Sequence, residues 1–125
     1  MITKISQRLL LLGLLFVFAV STGHATMKVV QKRISSSRTL AGHVYVLGTD
    51  EPANGVTVAL YTPDWKTVLA STKTDDKGYF SLEKTATEKL FYVRVSAPGM
   101  DIYELRVRIE KHAAPELTIR LSVAT

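Results

Sequence analysis

Four arginines in the C-terminal half of this chain, Arg94, Arg106, Arg108 and Arg120, fall where an extended backbone turns its polar side outward. A guanidinium offers a planar fork of donors, and if the last three long strands are neighbours these four make a row that could read carboxylate, phosphate or an acidic sugar. Tyr92 lies two residues before Arg94, on the same side of an extended chain. Glu104 and Glu110 interrupt the row, and opposite charges on adjacent strands pair. Cross-strand pairing is the simpler reading, with a ligand surface as the alternative. Tyr61 and Trp65 are a second candidate contact, of the stacking kind used on sugars. A packed hairpin explains them equally.

Other chemistry has few groups to work with. Beyond residue 25 the histidines are His43 and His112, and a lone strand histidine is ordinarily a packing or surface residue. There is no cysteine. That excludes a thiol nucleophile, a Cys-ligated zinc site, a disulfide scaffold and a lipid-anchored bacterial N-terminus. Asp75 and Asp76 are adjacent, so their side chains diverge. Asp50, Glu51, Asp64 and Asp101 sit in other breaks of the pattern. Calcium asks for six or more oxygens, and these carboxylates read as turn formers. No catalytic residue, metal or other cofactor is expected.

The elements that must position these side chains come from one short domain. The chain has 125 residues, 22% charged and 46% apolar, an ordinary globular composition. Residues 9–20, LLLLGLLFVFAV, carry no charge and follow Lys4 and Arg8. Gly23 and Ala25 then occupy the small-residue positions of a cleavage site. This is the pattern of a secretory signal peptide over 1–25, and the run is too short to span a bilayer stably. Residues 26–38, TMKVVQKRISSSR, hold Lys28, Lys32, Arg33 and Arg38 and no acid. They read as a basic arm: a solvated linker or an extra edge strand, or else a tether to anionic envelope lipid or polymer. Without residues 1–25 the 16 basic residues become 14 against 11 acidic ones, net +3. That is too mild for nucleic acid.

From residue 39 to the end the hydrophobic period is two. Leu40, Gly42, Val44 and Val46 alternate with Ala41, His43, Tyr45 and Leu47. The same holds for Val56, Val58 and Leu60; for Phe91, Val93 and Val95; for Tyr103, Leu105, Val107 and Ile109; and for Leu117, Ile119, Leu121 and Val123. Runs 68–74 and 79–82 complete about seven half-buried strands. Asn54-Gly55, Pro63-Asp64, Asp75-Asp76-Lys77-Gly78, Pro98-Gly99 and Pro115 supply the turns. An all-β sandwich follows, with Val58, Phe80, Val93, Val107 and Ile119 between its sheets.

The order of these pieces is similar to a known family. Gly42-x-Val44 precedes Pro52-Ala53-x-Gly55-Val56-x-Val58-x-Leu60. Then come Thr74-Asp75-x-x-Gly78-Tyr79-Phe80-x-Leu82 and Phe91-Tyr92-Val93-Arg94-Val95, which runs into Ala97-Pro98-Gly99-Met100. Across residues 39–123 this resembles the carboxypeptidase regulatory-like domain, of the transthyretin-like (prealbumin-like) superfamily. The resemblance implies a seven-stranded Greek-key sandwich over 39–125. It also implies an accessory module that does no chemistry and is classed near carbohydrate-binding sandwiches. Such domains typically sit beside a catalytic or membrane-embedded domain; with no residue after 125, a stand-alone module is expected here. The same superfamily contains 5-hydroxyisourate hydrolase, whose opening stretch resembles His43-Val44 and Pro52-Ala53-x-Gly55-Val56. That enzyme's other groups are missing: Tyr79 rather than Arg follows Gly78, and no Tyr-Arg-Gly-Ser ends the chain. Related surface sandwiches form Lys–Asn isopeptide bonds, but residues 117–123 hold neither Asn nor Asp.

The reading is an exported, periplasmic or extracellular, bacterial β-sandwich that binds an envelope protein or polysaccharide and is not an enzyme. No nucleic acid is expected as a partner, and no stable membrane insertion after cleavage. The alternatives are a hydrolase of the hydroxyisourate type and a structural or assembly component acting through an open sheet edge. The exported protein should begin at Thr26, which intact-mass measurement checks; a mass that includes residues 1–25 would mean a membrane-anchored protein.

Overall fold

A computed structural model describes residues 27–31, 34–83 and 88–125. Residues 1–25, where a signal peptide is expected, lie outside the described residues, as do Thr26, Lys32 and Arg33. Nine strands are present among those described: β1 (Val29–Gln31), β2 (Ser35–Ser37), β3 (Ala41–Val46), β4 (Thr57–Tyr61), β5 (Val68–Lys73), β6 (Tyr79–Ser81), β7 (Leu90–Ser96), β8 (Ile102–Ile109) and β9 (Leu117–Leu121). The larger sheet runs β1-β8-β7-β4-β5, with β2 also on β8; the smaller runs β6-β3-β9. The two sheets form a β-sandwich.

Seven of the strands are the expected ones. The two extra strands come from the basic arm. β1 pairs in parallel with Ile102–Glu104 and β2 with Val107–Ile109. The register shifts by one residue between the two pairings. Residues 29–31 and 35–37 are thus part of the sheet rather than a solvated linker.

Alternation sorts the side chains as the period requires. Val58, Phe80, Val93, Val107 and Ile119 are all at most 2% exposed and belong to one apolar cluster filled from both sheets. Gly42 stands in register with Leu117. A Cβ there would collide with the Leu117 backbone, so glycine lets β9 close on β3.

The Thr74-Asp75-x-x-Gly78 turn has a hydrogen-bond reason for each residue. The buried Thr74 hydroxyl donates to Ala53 O at 2.7 Å and accepts from Val56 N at 2.9 Å. Asp75 Oδ1 accepts from the amides of Lys77 and Tyr79, both at 2.9 Å. Gly78 adopts φ 78°, the left-handed region that a side chain disfavours. Phe80 then enters the core at 2% exposure. Asp101 does similar work at another corner. Its carboxylate accepts from Lys28 N at 3.1 Å and Ser122 Oγ at 2.8 Å, joining the arm, the start of β8 and the end of β9.

Two predictions follow from this packing. Phe80→Ala should lower unfolding free energy by about 3–5 kcal/mol in urea titrations, through lost burial and a cavity; a loss under about 1 kcal/mol would put Phe80 outside a packed core. The second concerns acid. The Tyr79 and Lys77 amides hold the Asp75 carboxyl below the ordinary range, and the Ser122 hydroxyl and Lys28 amide do the same for Asp101. A carboxyl with a lower pKa folded than unfolded adds stability that is complete above the unfolded value. That stability is lost as pH falls through the folded value. Urea midpoints from pH 7 to pH 2 should therefore fall less steeply below about pH 4 in D75N and D101N than in wild type. Parallel acid limbs would contradict this.

Candidate functional site

The four arginines do not form one row. β7 and β8 are neighbours, with Arg94 opposite Glu104, Tyr92 opposite Arg106 and Leu90 opposite Arg108. Arg120 is elsewhere, because β9 pairs in parallel with β3 in the smaller sheet. The connection from β8 to β9 crosses between sheets, so Arg120 points from the opposite side of the sandwich. There it donates to Thr49 O at 2.7 Å and lies over the Tyr45 ring at 5.0 Å.

Arg94 has its charge answered. Its Nε donates to Glu104 Oε2 at 2.8 Å, and Nη2 reaches the same oxygen. Glu104 is 5% exposed although it sits on the outer side of the sheet, and its other oxygen accepts from Gln31 Nε2 at 3.0 Å. Burial alone would lower the Arg94 pKa. The hydrogen bond and charge of Glu104 outweigh it, and the net shift is upward. The pairing reading therefore describes Arg94. Glu110 makes no ion pair with an arginine among the described residues. Arg106 and Arg108 are exposed and have no acidic partner among the described residues.

Tyr61, Trp65 and Tyr92 are brought together with Arg94. The Trp65 ring meets Tyr92 edge-on at 5.5 Å and Tyr61 at 6.0 Å. The Arg94 guanidinium lies 4.4 Å from the Tyr61 centroid and 5.5 Å from that of Trp65. All four side chains are half-buried. The β4–β5 turn delivers the indole. Trp65 N donates to Thr62 O at 2.8 Å, Thr62 N to Thr67 O at 2.9 Å, and Asp64 Oδ1 accepts from the Thr62 hydroxyl and Lys66 N. Trp65 itself has φ 62°. For a bulky residue that conformation costs about 1–2 kcal/mol, and the Tyr92, Tyr61 and Arg94 contacts hold it.

A polar cluster on the outer face of the smaller sheet escaped the sequence reading. His43 Nδ1 lies 2.7 Å from Glu116 Oε2, with the Tyr45 and Tyr79 rings 6.1 and 5.3 Å from the imidazole. The alternation placed His43 outward, but Glu116 is 73 residues away and gave no local signal. Tyr79 fills the place beside His43 where the hydrolase resemblance calls for arginine. The turn carboxylates do not converge: Asp64, Asp75 and Asp101 each satisfy local donors, and no group of three possible ligands is assembled among the described residues.

No curated protein matches this chain. A family model does, over residues 39–122, the nine-strand sandwich less its two arm strands and last residues. The T-D-x-x-G turn, the Gly42 closure and the alternating core all lie inside that span, and the chain belongs to the carboxypeptidase regulatory-like domain family, a family of non-catalytic β-sandwich modules.

Proposed function

We propose that this chain is an exported, non-catalytic binding module that contacts an envelope carbohydrate through the outer face of its larger sheet. The observation that carries the reading is Trp65. A large ring held at φ 62° against Tyr92 is an energetic cost that folding alone does not require, since glycine would make the same turn more easily. Indole and phenol rings are the side chains that pack on the apolar faces of a pyranose while their polar edges stay wet. Membership in a family of non-catalytic modules supports a non-enzymatic role.

A second reading has one observation behind it. Among the described residues β5 pairs with β4 alone, and Val68 and Leu69 are each 50% exposed beside the β4–β5 bulge. An open edge of this kind favours strand addition by a protein partner.

Retention of the exported protein on isolated cell envelope separates the two. Wild type should be retained after protease treatment of the envelope and lost after periodate oxidation of its sugars. Trp65→Gly keeps the turn and removes the ring. It should lose about tenfold in affinity, equivalent to about 1.4 kcal/mol, while circular dichroism and a cooperative urea transition show that the sandwich still folds. Retention that needs envelope protein, or is indifferent to W65G, would overturn the carbohydrate reading in favour of the β5 edge.

A further inference from the structure

We infer that the carbohydrate is acidic, and that Arg106 and Arg108 hold its acid groups; the inference rests on the binding face proposed above. Alternate residues of a strand share a face, about 6.6–6.8 Å apart along it. Arg106 and Arg108 are such a pair on β8. Arg106 stands in register with Tyr92, whose ring meets Trp65, and Arg108 with Leu90 on one side and Ser36 on the other. Two guanidinium groups thus follow directly from the aromatic cluster.

Neither makes an ion pair with an acidic side chain, Glu110 included, among the described residues. Glu104 is the acid on the same face of β8, and Arg94 and Gln31 already occupy it at 5% exposure. The other arginine of the four, Arg120, belongs to the opposite side of the sandwich. The fold adds to the positive charge. By pairing β1 and β2 with β8, it brings Lys28 and Arg38, which flank those strands, to the same edge of the larger sheet.

A uronic acid unit complements both parts of this surface. Its ring offers an apolar face to Trp65 and Tyr92, and its carboxylate lies on that same ring, within reach of a bidentate guanidinium. A lipid headgroup would supply the charge without the ring face, and a neutral glycan the ring face without the charge.

The test titrates the exported chain with oligogalacturonate, dextran, or phosphatidylglycerol vesicles, following Trp65, the single tryptophan, by fluorescence. Oligogalacturonate should bind with a change in tryptophan emission, and more weakly as salt rises. Arg106→Gln and Arg108→Gln should each weaken it about tenfold or more, the factor of a lost charge-assisted hydrogen bond. Arg120→Gln should leave it unchanged. Urea midpoints of these exposed-site variants should stay near wild type, so that lost binding is not lost folding. Equal binding of dextran and oligogalacturonate, indifferent to both arginine variants, would overturn the acidic ligand and leave the carbohydrate reading standing. Binding to the vesicles but to neither glycan would overturn both. Binding to none of the three would overturn the acidic ligand, while envelope retention sensitive to periodate would still uphold the carbohydrate reading.

Discussion

Glu104 is a carboxylate on the outside of a sheet that is nonetheless removed from water, at 5% exposure. A buried charge is tolerated when it is paired and hydrogen-bonded, and breaking such a pair leaves a penalty of about 3–5 kcal/mol. Glu104 meets the condition with Arg94 on one oxygen and Gln31 on the other. These two contacts fix much else. Gln31 belongs to β1, so the bond ties the basic arm to β8. Arg94 is held where its guanidinium lies against the Tyr61 and Trp65 rings. Remove the carboxylate and the arm loses a tie, the arginine loses its orientation, and the rings lose the cation they pack on.

This division of labour separates arginines that look alike. Arg94 is a positioning residue, with its charge spent within the fold. Arg106 and Arg108, on the neighbouring strand and the same face, keep theirs for solvent or a ligand. Trp65 lies between the two roles. Its strained backbone is stabilised by side chains that Arg94 and Glu104 arrange, and its ring is partly open to the outside.

Much of this was legible in the residues and some was not, for physical reasons. Period two placed Val58, Phe80, Val93, Val107 and Ile119 in the core, because a half-buried strand leaves no other solution. The T-D-x-x-G turn was legible because its bonds are local. Arg120 was misplaced because strand partners are long-range choices. The parallel pairing of β9 with β3 leaves no mark on the pattern of either strand. The arm was equivocal because Ser35-Ser36-Ser37 carries no hydrophobic alternation. Its pairing is supplied by the β8 backbone, and Ser37 is small enough to be fully buried. Glu104 looked wet because polarity suggests exposure, and its burial depends on Gln31, 73 residues away.

Chemically similar arginines divide here into Arg94, whose charge is paired with Glu104 inside the face, and Arg106 and Arg108, which are exposed on it. Two-dimensional NMR of the protein, titrated with oligogalacturonate and read at the arginine Nε–H and tryptophan indole signals, addresses this directly. The account predicts large shifts at Arg106, Arg108 and Trp65, little at Arg94, whose Nε–H stays on Glu104, and none at Arg120. Shifts centred on Arg120 and the His43–Glu116 side of the sandwich, or an Arg94 signal that leaves Glu104 for the ligand, would contradict it.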